Sequence, residues 1–188
     1  MSKKLLVGLA ALAFAAGASA QGYGVISAGV SKLSVDCAGA PTCDKSDTAF
    51  KLLGGYMLNP NLAVEVGYFD FGKAKLGDPT IGTGSITVSA FGGGVAWHQD
   101  LSQDWNFVAR LGLAQVKTKL SATLIGVGSG SDSDNKVQAY AGLGVGYKLS
   151  KTMSLDLAWD TSRGKYSKNG ISESGTVNAY SVGLTFGF

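Results

Sequence analysis

From position 180 the chain alternates without a break. Tyr180, Val182, Leu184, Phe186 and Phe188 fall on one face, and Ser181, Gly183, Thr185 and Gly187 on the other. Apolar against small or polar residues at a period of two is the mark of a strand with one greasy side. Segment 153–162 repeats it, with Met153, Leu155, Leu157 and Trp159 opposing Ser154, Asp156, Ala158 and Asp160. Segment 137–149 sets Leu143, Val145, Tyr147 and Leu149 against Tyr140, Gly142, Gly144 and Gly146, and 105–113 sets Trp105, Phe107, Leu111 and Leu113 against Asn106 and Arg110. Weaker alternation at 22–32, 48–58, 62–72 and 85–98 brings the predicted strands to eight. Within 85–98, Ile86 and Val88 share one parity and Phe91, Val95 and Trp97 the other. A bulge is therefore expected at Gly92, Gly93 and Gly94.

The connections alternate in length. Short turns follow the second, fourth and sixth segments, at 59–61, 98–104 and 150–152. Longer polar stretches follow the first, third, fifth and seventh, at 33–47, 73–84, 118–135 and 163–176. Short turns at one end and long loops at the other are the plan of a transmembrane barrel. A chain that crosses lipid without helices must pair every backbone group between strands, and closure is what achieves this. The expected fold is all-β: an eight-stranded antiparallel up-and-down transmembrane β-barrel. The alternative is a soluble, lipocalin-like barrel with its apolar face inward. Against it, the polar face is rich in Gly and Ala, as a narrow lumen requires, rather than in Lys and Glu. Trp97, Trp105, Tyr147, Phe186 and Phe188 also fall at strand ends, where a membrane-interface belt would sit, and Phe107 and Trp159 join the lipid-facing set.

Composition supports the same class. Of 188 residues 28 are glycine, and charged residues make up 15%, where a typical globular protein has about 25%. Residues 1–20, MSKKLLVGLAALAFAAGASA, have a basic head, an apolar stretch and a small-residue end at Ala18, Ser19 and Ala20. They read as a secretory signal peptide, leaving 21–188 as the barrel domain. With Lys3 and Lys4 removed, the 16 basic residues become 14 against 13 acidic, a net charge of +1, which is no nucleic-acid footprint. Cys37 and Cys43 stand close together in CAGAPTC. An exported chain favours a disulfide between them, and two thiols with no nearby histidine are too few for zinc. No metal or cofactor is expected.

GGYMLNPNLAVEVGYFDFGKAKL, residues 54–76, resembles the OmpA-type transmembrane domain, in which a strand, an Asn-Pro turn and a Glu-bearing strand follow in order. WNFVARLGLAQVKTK, 105–119, is similar to that family's central strand with its inward arginine. The end at Phe188 resembles the terminal signature read by the barrel-assembly machinery. The resemblance spans nearly the whole of 21–188 and implies a stand-alone small barrel, of the OmpX or OmpW kind, in the outer membrane of a Gram-negative bacterium. Its partners would be outer-membrane lipid and the assembly machinery. No peptidoglycan-binding domain is expected, so cell-wall tethering does not carry over.

Glu65, Arg110 and Asp156 lie four to six residues past predicted turns on the polar face of outward-running strands, so they should share a depth. Lys51 and Lys148 from returning strands, and Asp160 higher up, can join them. The resemblance implies the same interior ion pairs. Charges in a narrow lumen need partners, which gives two readings: a polar, salt-bridged plug in a structural and surface-interaction protein with four extracellular loops, or a narrow, porin-like path for ions or small solutes. Enzymatic activity is not expected. Lipid chemistry would need a general base beside a serine, and His98, the one histidine, is placed as an interfacial residue at the periplasmic rim. Asp132 and Asp134 are too few for a calcium loop.

Overall fold

The computed structural model describes residues 21–34, 42–78, 82–124, 126, 128–168 and 171–188. The expected signal peptide and Cys37 lie outside them. The strands, in chain order, are β1 (Gly22–Leu33), β2 (Thr42–Asp44), β3 (Ser46–Met57), β4 (Leu62–Asp78), β5 (Gly82–Asp100), β6 (Trp105–Leu124), β7 (Gly128–Lys148), β8 (Met153–Lys168) and β9 (Ile171–Gly187). β2 and β3 follow one another along the same flank of β4, so together they make one wall position. Every neighbouring pair is antiparallel, and β1 closes the ring on β9. The result is a closed eight-position barrel.

The stagger of that closure can be followed residue by residue. From Tyr23 the ladder passes through Gly55, Glu65, Gly94, Gly112, Tyr140, Ser162 and Val177, and returns to β1 at Leu33. The return is ten positions further along (33 against 23). With ordinary strand spacings this shear tilts the strands by about 40° and gives a backbone radius of about 8 Å. A tube that narrow is filled by its own side chains.

Alternation sorts the two faces as the pattern predicts. Leu155, Leu157, Val182, Leu111 and Leu113 are exposed on the outer wall, while Ser154, Asp160, Ser181 and Arg110 are buried inside. The short turns at 58–61, 101–104 and 149–152 share one end, the periplasmic one in a barrel of this kind. Asn59 fixes the first of them by accepting the backbone N–H groups of Asn61 and Leu62 on its Oδ1.

Two expectations are corrected. The stretches 73–84, 118–135 and 163–176 are not loops in the main: β4 with β5, β6 with β7 and β8 with β9 stay paired through most of them. β6 and β7 have 20 and 21 residues, about twice what a membrane-crossing strand needs. Toward their tips these hairpins project beyond the bilayer, with both faces wet. Where neither face is buried the period-two hydrophobic signal vanishes although the backbone ladder continues.

The second correction concerns the bulge. β5 pairs with β6 in one unbroken register from Gly82 to Asp100, so no irregularity exists at Gly92, Gly93 and Gly94. Val88 is buried and Phe91 exposed, which is one continuous alternation; Val88 is apolar because the lumen is apolar at that height. The register break lies in β4, between Asp70 and Lys73. Gly72 there has φ +70°, a left-handed conformation open to glycine at little cost. Two carboxylates pin the break: Asp70 Oδ1 accepts the Gly72 N–H at 2.9 Å and Asp47 Oδ2 the Lys73 N–H at 2.7 Å.

Candidate functional site in the barrel lumen

The lumen has two storeys. In the periplasmic half, the Arg110 Nε–H of β6 donates to both oxygens of Glu65 on β4, at 3.2 and 2.9 Å. Tyr23 of β1 donates its hydroxyl to Glu65 Oε1 at 2.6 Å, and His98 Nε2 of β5 lies 3.0 Å from the same hydroxyl. Because the single Tyr23 proton goes to the carboxylate, the contact with His98 requires the ring to present Nε2–H. Glu65 is 2% and Arg110 8% exposed, so neither charge could stand there alone. Glycine makes room for the aromatic members. A Cβ on Gly55 would fall 2.2 Å from the Tyr23 ring, and one on Gly112 2.5 Å from Tyr140.

A second pair lies higher, where Lys51 Nζ of β3 meets Asp160 Oδ2 of β8 at 2.5 Å, both buried. The remaining predicted members are held elsewhere. Asp156 accepts the hydroxyls of Ser154 (2.9 Å) and Thr185 (2.5 Å) instead of joining Arg110. Lys148 lies at the periplasmic rim, where it meets Asp100 at 2.8 Å. The expected single cluster is therefore two buried pairs and two outliers. The stagger explains this: a shear of ten brings Lys51 level with Asp160 and leaves Asp156 several residues lower on the same strand.

Above the charges the lumen turns apolar, which the polar-lumen expectation did not include. Phe69 and Phe71 of β4 stack with ring centroids 6.0 Å apart, and Phe69 meets Tyr140 at 5.2 Å. Val88, Val116, Val177 and Leu33 are buried with them. Each aromatic contact contributes about 0.5–1.5 kcal/mol beyond its buried area. At the bulge the Phe71 carbonyl leaves the regular ladder and accepts the Ser31 Oγ–H of β1.

Little space remains between the storeys. A cavity of about 40 Å³ is lined by Ser27, Lys51, Arg110 and Asp156, and one of about 10 Å³ by Lys51, Phe69, Asp160 and Ser181. Among the described residues, Ser27 Oγ, Ser181 Oγ and Asp160 Oδ1 find no hydrogen-bond partner. These volumes suit isolated waters bonded to those atoms.

On the outer wall, Trp97 packs edge-on to Phe107 at 6.3 Å and Trp105 to Tyr147 at 5.2 Å. With Phe186 and Phe188, both exposed, they ring the periplasmic end. Trp159, expected among the lipid-facing residues, lies higher on the same wall. It pairs with Tyr180 across the strands, donates its indole N–H to Asn178 Oδ1 at 3.2 Å, and so belongs with an outer girdle of Phe50, Tyr68, Phe91 and Tyr180, all exposed. His98 is not interfacial; it faces the lumen mouth, partly buried against Tyr23. Tyr23 was absent from the predicted site, although its place in an alternating strand opposite Gly55 carried a signal. Cys43 lies in β2 and is not a free thiol.

A closed narrow barrel with apolar walls, aromatic girdles and a filled lumen defines an outer-membrane β-barrel protein. The chain belongs to the outer membrane protein beta-barrel domain family, whose model matches residues 4–188. Its fold is similar to that of Neisserial surface protein A, at 18% identity and a TM-score of 0.62, covering 92% of this chain and 99% of that one. It is also similar to Ail, the attachment invasion locus protein of Yersinia pestis, at 16% and 0.55, covering 89% and 99%. A third likeness is to OprG from Pseudomonas aeruginosa, at 13% and 0.51, covering 89% and 96%. No curated protein sequence matches the chain. The protein resides in the outer membrane of a Gram-negative bacterium.

Proposed function

We propose that the protein is a structural, non-catalytic barrel whose lumen is sealed and whose projecting hairpins carry its interactions at the cell surface. The observation behind this reading is the aromatic layer of Phe69, Phe71 and Tyr140, seated above the two buried ion pairs. A permeating ion would have to displace that layer and separate the pairs, at a cost of several kcal/mol per desolvated charge. Against catalysis, His98 is engaged by Tyr23 at the periplasmic mouth, the opposite end from the outer leaflet.

The rival function is a narrow ion or small-solute channel, favoured by the polar cavities of the lower storey. Single-channel recording of the refolded protein in a planar bilayer separates the two. A folded wild type should be silent, and Phe69→Ala/Tyr140→Ala should raise conductance. Steady wild-type openings would establish the channel instead.

Two further assignments belong to this reading. Cys43 pairs with Cys37, the other cysteine of the sequence; mass mapping of a non-reduced digest tests it. β9, with its outward run of Tyr180, Val182, Leu184 and Phe186, is the strand the barrel-assembly machinery takes up, and crosslinking from that strand during assembly tests it.

A further inference from the structure

Four lysines on the outer wall form no ion pair among the described residues, although the Asp47 carboxylate lies near two of them, Lys73 and Lys75. Lys73 and Lys75 on β4 and Lys117 and Lys119 on β6 are exposed, while Ala74, Val116 and Thr118 between them are buried in the lumen. The alternation therefore points all four outward, on the side that lower down faces lipid. The register arranges them in rows: Lys73 beside Thr87 beside Lys119, Lys75 beside Ser85 beside Ser121, and Asp70 beside Ser89 beside Lys117. Lys73 and Lys119 are thus two strands apart, about 9–10 Å, with hydroxyls between them. Among the described residues, no carboxylate forms an ion pair with any of the four. A cleft of about 590 Å³ opens at the edge of the patch, lined by Lys73, Lys75, Ser85, Ser121 and the acidic Asp44.

The height of the patch follows from the same stagger. One circuit of the ladder climbs from Tyr23 to Leu33, about 25 Å in eight steps, or about 3 Å per strand. On this scale the outer aromatic girdle lies about 16 Å above the periplasmic one, and the four lysines about 10–16 Å higher again. Headgroups occupy the layer about 5–8 Å thick beyond the hydrocarbon, and a flexible lysine stem spans the remaining distance. The ammonium groups therefore sit beside the outer-leaflet headgroups, facing sideways into them.

We propose that this patch binds the phosphate groups of an outer-leaflet lipid carrying more than one phosphate. Four ammonium groups and interleaved hydroxyls offer charge-assisted hydrogen bonds to phosphate oxygens. The span between Lys73 and Lys119 suits two phosphates held on one headgroup. The sideways aim at the bilayer, continuous with the lipid-facing wall, favours a lipid over a soluble partner. Bound lipid would brace β4, β5 and β6 where they leave the membrane.

The test is lipid retention. The protein is refolded with a bisphosphorylated glucosamine lipid, exchanged into phosphatidylcholine vesicles, and the glycolipid that remains is measured by native mass spectrometry. Folding is checked by heat-modifiable gel mobility. K73Q/K75Q/K117Q/K119Q should weaken retention about tenfold or more, since each lysine near an anionic surface contributes measurably. K151Q, in the periplasmic turn at the opposite end, should leave it unchanged, and inorganic phosphate should compete only at high concentration. K73Q/K119Q serves if the quadruple variant does not fold. Unaltered retention by the variants, or equal retention of the dephosphorylated lipid, overturns the proposal. So does capture of a soluble sulfated polysaccharide without selective lipid retention, which would assign the patch to a soluble anionic partner.

Discussion

Replacing Arg110 by methionine removes the guanidinium from Glu65 while keeping much of the side-chain volume. Glu65 is then a carboxylate at 2% exposure whose remaining side-chain donor is the Tyr23 hydroxyl at 2.6 Å. Breaking a buried pair on one side costs about 3–5 kcal/mol. The retained Tyr23 bond, and the adjacent 40 Å³ cavity through which water can approach, place the expected loss near 3 kcal/mol. Glu65→Gln should cost a similar amount by stranding Arg110, which is 8% exposed. The double variant leaves no unpaired charge and should lie within about 1 kcal/mol of wild type. Equilibrium urea unfolding from lipid vesicles, followed by tryptophan fluorescence and gel mobility, gives the cycle. Single variants within 0.5 kcal/mol of wild type would refute the reasoning, as would a double variant as unstable as the sum of the singles.

Leu157 is 62% exposed and lies near mid-height of the apolar wall, so Leu157→Arg should cost about 2–4 kcal/mol and lower the folding yield in vesicles; an undiminished yield would contradict the facing assigned to β8. Gly72→Ala should destabilise by about 1–3 kcal/mol, because φ is +70° and the new Cβ would meet the Thr48 carbonyl at 2.6 Å; an unchanged urea midpoint would remove the case for strain at the β4 bulge. Tyr23→Phe takes one hydrogen bond from the Glu65 carboxylate and one from His98 and should lose about 1.5–3 kcal/mol, read in the same unfolding assay. Because the ring still fills the space above Gly55, native gel mobility should survive.

How much was legible beforehand follows from what each signal encodes. Alternation along 153–162 and 180–188 assigned inside and outside correctly, because a wall between lipid and a lumen imposes a period of two on every residue that crosses it. Turn spacing supplied the hairpin order for the same reason. Ile86 and Val88 misled because a period of two distinguishes faces without saying which face must be polar. Apolar residues there marked a dry upper lumen, not a change of parity. Phe69 and Phe71 escaped notice because Tyr68 beside them is equally apolar, so that stretch of β4 shows no contrast.

The sequence by itself determined the class of fold, the wall that meets lipid, and the charged residues that needed partners. Ring closure decided which partners they took. A lumenal contact such as Lys51 with Asp160 joins residues 109 positions apart and depends on the accumulated register of several hairpins. One residue of slip in any of them would exchange its inward and outward sets. The outward lysine rows of β4 and β6 arise in the same way: each strand shows a polar end, and only the shared stagger sets the two side by side at the level of the headgroups.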